Sequence, residues 1–154
     1  MIRQEAFYST HFETIVALTT YLAVSESGEI DSANAFRLAK QLGLQLEDVQ
    51  LVLDNATGIF RKSIKEYHTR DFGYQHNYTL QLRYARRIYE GGSISNIGDT
   101  LSNEELFSLL NFIMSKVREE QETKRQQSNN LITMIAAILA ALLSLISLIV
   151  TSLP

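Results

Sequence analysis

Cysteine is absent from the 154 residues. That excludes disulfide scaffolds, thiolate metal sites and cysteine nucleophiles, and with them secretion as a cystine-stapled domain. Charge is missing from a whole segment: every Asp, Glu, Lys and Arg lies at or before Arg125, and residues 126–154 carry none. The chain averages of 45% hydrophobic and 20% charged residues therefore describe neither part. With 14 Lys+Arg against 17 Asp+Glu and a sequence pI near 5.6, a generic polyanion binder is disfavoured. The phosphate-cradling pattern GxxxxGK(S/T), the dinucleotide pattern GxGxxG and a nucleophile elbow are all absent, and Gly91-Gly92 lacks the helix and lysine a phosphate loop requires. His68, His76 and Asp71 fall in one expected turn with no fourth ligand in register, so they read as surface residues, and neither metal nor cofactor is expected. The chain reads as a non-enzyme of one domain's length.

What is present begins with the uncharged end. Leu131–Leu153 runs for 23 residues without charge, roughly 35 Å as a helix, enough to cross a bilayer. A buried core helix normally keeps one polar face, and nothing here is more polar than Ser or Thr. The first 30 residues show no signal peptide, because Glu5, Glu13, Glu26 and Glu29 interrupt them. The sequence thus predicts a tail anchor: a single-pass membrane protein with the lipid bilayer as one partner. Lys116, Arg118, Lys124 and Arg125 before the span place the amino terminus in the cytoplasm, as in a bacterial inner-membrane protein. Within the span Thr133, Ala137, Ala140, Ser144, Ser147 and Thr151 recur at spacings of 4, 3, 4, 3 and 4. That stripe reads as an oligomerisation seam making a homo-oligomer through close backbone approach. A hydroxyl-lined pore and a chance distribution of small residues are the other readings of the same stripe.

The charged part reads as a small helical domain. Periodicity from Tyr8 to Ser25 puts Phe12, Ile15, Val16, Thr19, Leu22 and Ala23 on one face of a first helix. Gly28–Asp31 suits a short strand, Asp31 or Ser32 an N-cap, and Ala33–Leu42 a second helix stopped by Gly43. Ala39, Gly43-Leu44, Val49 and Leu53, within RLAKQLGLQLEDVQLVLDNATG, have the intervals of a helix-turn-helix: a small residue for close crossing, a glycine for the turn, and two apolar residues to seat the next helix. Strands are expected from Gly58-Ile59-Phe60 and over Tyr78–Tyr84, where Tyr78, Leu80, Leu82 and Tyr84 alternate inward. Over residues 12–90 the chain resembles the winged helix-turn-helix domains of prokaryotic regulators. The resemblance implies a mainly α fold with a β-hairpin wing, here joined to one C-terminal transmembrane helix. A Gly-rich loop, GGSISNIGD, leads to a helix marked by the capping box Ser102/Glu105 and the staple Leu101/Leu106, with Leu109, Leu110, Ile113 and Val117 continuing its buried face. The expected organisation is a cytoplasmic winged-helix domain over 1–100, a packing helix and juxtamembrane stalk over 101–130, and the anchor over 131–154, with Ser128–Asn130 a candidate break.

Charge separates the functional readings. The helix that would enter a DNA groove, 46–57, carries Glu47, Asp48 and Asp54 and no Lys or Arg, though Gln45, Gln50 and Asn55 have base-reading chemistry. Winged-helix regulators place basic or amide residues there, so this departure points to a protein partner. The wing argues the other way: Arg61, Lys62, Lys65, Arg70, Arg83, Arg86 and Arg87 stand against Glu66 and Asp71, interleaved with aromatics that suit nucleic acid, an acidic protein or anionic lipid. The residues assigned to partner binding are therefore Glu47, Asp48, Gln50, Asp54, Arg61, Lys65, Arg83, Arg86 and Arg87. The sequence predicts a tail-anchored adaptor or membrane-perturbing effector whose winged helix binds a cytoplasmic protein. In architecture it is similar to small membrane components of bacterial conflict and antiviral systems. A membrane-tethered DNA-binding regulator and a passive anchor for a larger complex are the competing readings.

Overall fold

The computed structural model describes residues 6–25, 33–69, 73–89 and 100–152; within these, the side chains of 65, 67, 69, 73, 74, 86–89 and 141–152 lie outside the described set. The architecture is mostly helical with a small three-stranded antiparallel sheet. In chain order it comprises α1 (Phe7–Thr10), α2 (Phe12–Val24), β1 (Ala33–Asn34), α3 (Ala35–Leu42), α4 (Leu46–Asn55), β2 (Phe60–Thr69), β3 (Gly73–Leu80), α5 (Gln81–Tyr89) and α6 (Asn103–Ser152).

Apolar spacing sets the first layer. On α2, Ile15, Leu18, Leu22 and Ala23 are buried with Thr19, while Phe12 and Val16 close the margin of the core. The single helix expected from Tyr8 is divided at His11, whose backbone (φ −106°, ψ 21°) leaves the helical region between α1 and α2. Asn34 caps α3, its side-chain oxygen accepting from Arg37 N at 2.7 Å. Gly28–Asp31 and Ser32 lie outside the described residues, and the described strand and cap sit a little later, at Ala33–Asn34. Gly43 ends α3 in the left-handed region (φ 66°), and Leu44 N donates back to Ala39 O at 3.0 Å. The turn brings Val49, Val52 and Leu53 of α4 into the core beside Leu38 and Ala39.

Beyond α4, Ala56 O accepts from both Ile59 N and Phe60 N at 2.9 Å, a tight turn that starts β2 with its first residue buried. The sheet order is β1-β3-β2. Ala33 pairs with Tyr78 and Phe60 with Leu80. Between Lys62↔Tyr78 and Glu66↔His76 the register shifts, so Ser63, Ile64 and Lys65 stand opposite Asn77 alone. Ser63 repairs the gap: its Oγ accepts from Asn77 N at 3.0 Å, and its carbonyl lies 2.9 Å from His76 Nδ1.

The strand expected through Tyr84 ends at Leu80. Gln81 N donates to Ile59 O at 2.8 Å and the chain then turns into α5, leaving Leu82 exposed and Tyr84 half-buried. The alternation of 78–84 is real, but QLRYARRIY is rich in helix formers, and its second half settles the conformation of its first. The loop GGSISNIGD lies outside the described residues.

α6 begins with the reciprocal bonds of a capping box: Ser102 N donates to Glu105 Oε2 at 2.8 Å, and Glu105 N to Ser102 Oγ at 3.3 Å. Leu101 and Ile113 are buried, and Leu106, Leu109 and Leu110 pack against the core. Leu101 N also donates to Ala23 O at 3.0 Å, tying α6 to the end of α2. One turn beyond Val117, the Glu120 carboxylate accepts from Tyr8 N at 2.9 Å, Ser9 N at 2.9 Å and Ser9 Oγ at 3.0 Å, capping α1 from another element. Burial of Tyr8 in this contact raises its phenol pKa, against a smaller lowering by Lys116. From Gln121 to Ala140 every side chain is exposed, and the helix does not break at Ser128–Asn130. Packing helix, stalk and apolar segment are one helix.

The expected membrane-spanning helix is corrected: among the described residues no helix is long and apolar enough to cross a membrane. Immediately before its apolar residues α6 carries Lys124, Arg125 and the amides Gln126, Gln127, Asn129 and Asn130. The tail anchor, the single-pass inner-membrane localisation and the transmembrane part of the fold class fall with it.

Glu120→Ala removes three bonds to a charged acceptor from a four-residue helix. Hydrogen exchange at the Tyr8 and Ser9 amides should accelerate roughly tenfold or more, at about 1.5 kcal/mol or above for charge-assisted bonds. Exchange at Ile113 should not change; equal protection of Tyr8 in both proteins would show that Glu120 does not hold α1.

Candidate protein-interaction surface

Because Val49, Val52, Leu53 and Ala56 point inward, helical geometry turns Glu47, Asp48, Gln50, Leu51, Asp54 and Asn55 of the α4 region to solvent. Glu47 and Asp48 occupy the first turn, where the helix dipole favours negative charge. Leu51 is 44% exposed although it lies mid-helix. It sits four and three residues after Glu47 and Asp48, and three before Asp54, so an apolar side chain is ringed by carboxylates. Asn55 folds back, its amide donating to Leu51 O at 2.8 Å. α4 itself contributes no Lys or Arg to this face.

Asp54 joins the face to the sheet. Its Oδ1 accepts from Lys62 Nζ at 2.9 Å and from Tyr78 Oη at 2.8 Å. Partial burial acts to raise the Asp54 pKa, but the hydrogen bonds from Lys62 and Tyr78 outweigh it and hold the carboxyl below its ordinary value. Burial, and then the bond to Asp54, raises Tyr78; the same bond raises Lys62. The ammonium also lies 5.7 Å from the Tyr78 ring centroid.

The wing's basic character is reduced by contacts within the chain. Arg83, expected at the surface, is buried, because Nη1 donates to Leu22 O at 2.7 Å and Ser25 O at 3.4 Å, the carbonyls at the end of α2. A cation there satisfies the orphan acceptors of a helix C-terminus, so its assignment to partner binding is corrected. Lys62 is paired with Asp54. The Arg61 guanidinium lies 3.6 Å over the Tyr84 ring, a cation–π contact that joins β2 to α5. Lys65, Arg86 and Arg87 have their backbones in β2 and α5 and side chains outside the described set; Arg70 and Asp71 lie outside the described residues altogether. Thus α4 keeps Glu47, Asp48 and Gln50 together on one open face, while the described cations Arg61, Lys62 and Arg83 each hold a contact within the chain.

Of the small-residue seam, the described side chains are those of Thr133, Ala137 and Ala140. Thr133, Ala137 and Ala140 lie exposed on α6, with Thr133 Oγ1 donating to Asn129 O of its own helix at 3.0 Å. Ser144, Ser147 and Thr151 continue that helix with side chains outside the described set. His76 Nε2 lies 3.4 Å from Glu66, and among the described residues no group of three or more His, Cys, Asp or Glu is placed to hold a metal ion.

Two contributors escaped sequence reasoning. Leu51 was legible as the one large apolar residue off the inward stripe of α4. Glu120 carried no local signal, since its partners are 111 and 112 residues away. No family model, curated protein or solved structure matches the chain.

Two substitutions separate structural from surface roles. Asp54 has a depressed folded-state pKa, so its contribution is complete at neutral pH and lost as pH falls below the ordinary carboxylate range through that value. Asp54→Asn should therefore cost about 1 kcal/mol in urea unfolding at neutral pH, its pair with Lys62 being half-exposed, and close to nothing in acid. A cost independent of pH would dissociate Asp54 from the network. Arg83→Ala should cost about 2 kcal/mol by exposing the α2 carbonyls, with Arg83→Lys recovering little; full recovery by lysine would mean that only charge matters there.

Proposed function

We propose that the chain is a non-enzymatic protein-interaction module of winged-helix type, in which α4 receives a protein rather than a DNA groove. The order helix, short strand, helix, turn, helix and hairpin over residues 12–80, with sheet order β1-β3-β2, supports the winged-helix reading. The observation that carries the functional reading is the outward face of α4. It combines an exposed Leu51 with Glu47, Asp48 and Gln50 and no cation, at the position where phosphate contact would need positive charge.

An apolar anchor inside a charged ring is the anatomy of a protein interface centre. Its complement is a basic segment with one aliphatic or aromatic side chain to cover Leu51. Within the wing, Lys62 is neutralised and Arg83 enclosed, which further reduces the attraction for a polyanion.

A photo-crosslinking residue at Gln50 of the full chain, expressed in its native cell, should form one discrete protein adduct, while the same residue at Ser108 should not. Glu47→Lys with Asp48→Lys should weaken that adduct about tenfold or more, as expected for reversal of complementary charges. Mixed-sequence duplex should bind no tighter than about 10⁻⁴–10⁻⁶ M at physiological salt. Tight duplex binding lost on Arg61→Ala would replace this reading with a nucleic-acid one.

A further inference from the structure

α6 leaves the folded unit after Glu120 and carries exposed apolar side chains on both sides of its charged middle. Phe107 (66% exposed) and Met114 (40%) precede it; Ile132 (63%) and Leu139 (56%) follow it. Together with Asn111, Arg118, Gln121, Arg125, Ser128 and Ile135 they form one run of positions spaced alternately four and three from 107 to 139. All ten are exposed. This is the spacing of a coiled-coil seam. It lies beside, and does not overlap, the stripe of Leu106, Leu110, Ile113 and Val117 that packs on the core.

The seam is symmetric about Thr123. Phe107 and Leu139 are each sixteen residues from it, Asn111 and Ile135 twelve, and Met114 and Ile132 nine. The two apolar halves of one helix cannot meet each other, since Phe107 and Leu139 are separated by about 48 Å of continuous helix. An antiparallel second copy brings the apolar ends together, Phe107 against the partner's Leu139 and Met114 against the partner's Ile132, and the reverse, with Asn111 opposite the partner's Ile135 and the polar Arg118, Gln121, Arg125 and Ser128 meeting at the centre. Such a contact is isologous, residue for residue, as a closed twofold dimer requires.

Charge selects the same orientation. On the amino-terminal side of Thr123, Glu119 is paired with Lys116 and Glu120 is taken by α1, which leaves Glu122 next to the centre, with basic Lys124 and Arg125 directly on the other side. A parallel pair sets each charge against its own copy. An antiparallel pair sets Glu122 beside the partner's Lys124 and the partner's Arg125, twice by symmetry. We propose that two copies of this chain pair through α6 in antiparallel register centred on Thr123. This pairing is independent of what binds α4.

With no native cysteine, single cysteines in the full chain report the register. Met114→Cys mixed with a differently tagged Ile132→Cys chain should yield the mixed disulfide under mild oxidation, and Met114→Cys alone should yield almost none. Sedimentation should give twice the 17.5 kDa chain mass. Phe107→Asp, at a side chain outside the core, should leave the unfolding transition in place and weaken dimerisation tenfold or more. Arg125→Glu should weaken it as well, with Glu122→Arg in the same chain restoring it. A prominent 114–114 disulfide would overturn the proposal in favour of a parallel pair. So would a chain that stays monomeric, whether free or sedimenting with lipid vesicles.

Discussion

The last turn of α2 holds the molecule together. A helix ends with carbonyls that have no partner within it, and leaving such acceptors buried is costly. Here three of them are answered, one by the capping residue and two from distant parts of the chain. Tyr21 O accepts from Ser25 N and Oγ, Leu22 O from the Arg83 guanidinium of α5, and Ala23 O from Leu101 N at the entry to α6. Two elements that contribute modestly to the apolar core are thereby fixed in direction. The course of α6 away from the domain, and the position of α5 under the hairpin, both follow from satisfying one helix end.

The same arrangement decides how charge is presented. Of the positive groups that make the wing basic in sequence, Arg83 is drawn inward by those carbonyls, Lys62 by Asp54, and Arg61 onto the Tyr84 ring. Each also connects two elements: α5 to α2, β2 to α4, and β2 to α5. These three cations act as fasteners, and the acidic residues in the first turn of α4 stay on the surface. Net charge along a segment and charge available to a partner are different quantities, and the difference lies in which backbone acceptors need a donor.

That explains which features could be read in advance. The Gly43 stop, the inward Val49 and Leu53, and the Ser102/Glu105 capping box are local: each depends on residues within about a turn, and periodicity or capping chemistry exposes them. The end of β3 was misplaced because alternation over Tyr78–Tyr84 is compatible with a strand until the helix-forming residues after it are weighed. Arg83 and Glu120 had no local signature, since their partners lie far away in sequence. Among the site residues, Glu47, Asp48 and Asp54 were legible from charge and Gln50 from its amide, whereas Leu51 needed the inward stripe to be located first. The apolar end invited a membrane reading because composition reports hydrophobicity without saying what covers it.

The register shift in β2 also bears on how the molecule behaves in a crowded solution. β2 is the outermost strand of the sheet, and an outermost strand offers unpaired N–H and C=O groups to any passing chain. Setting Ser63, Ile64 and Lys65 opposite Asn77 alone interrupts that ladder midway, so no straight run of free backbone extends along the hairpin. Ile64, 90% exposed, would otherwise be the kind of side chain that starts strand-to-strand stacking. Carried on a bulge, it sits where a second strand cannot lie flat, and the wing is protected from aggregation by two surplus residues.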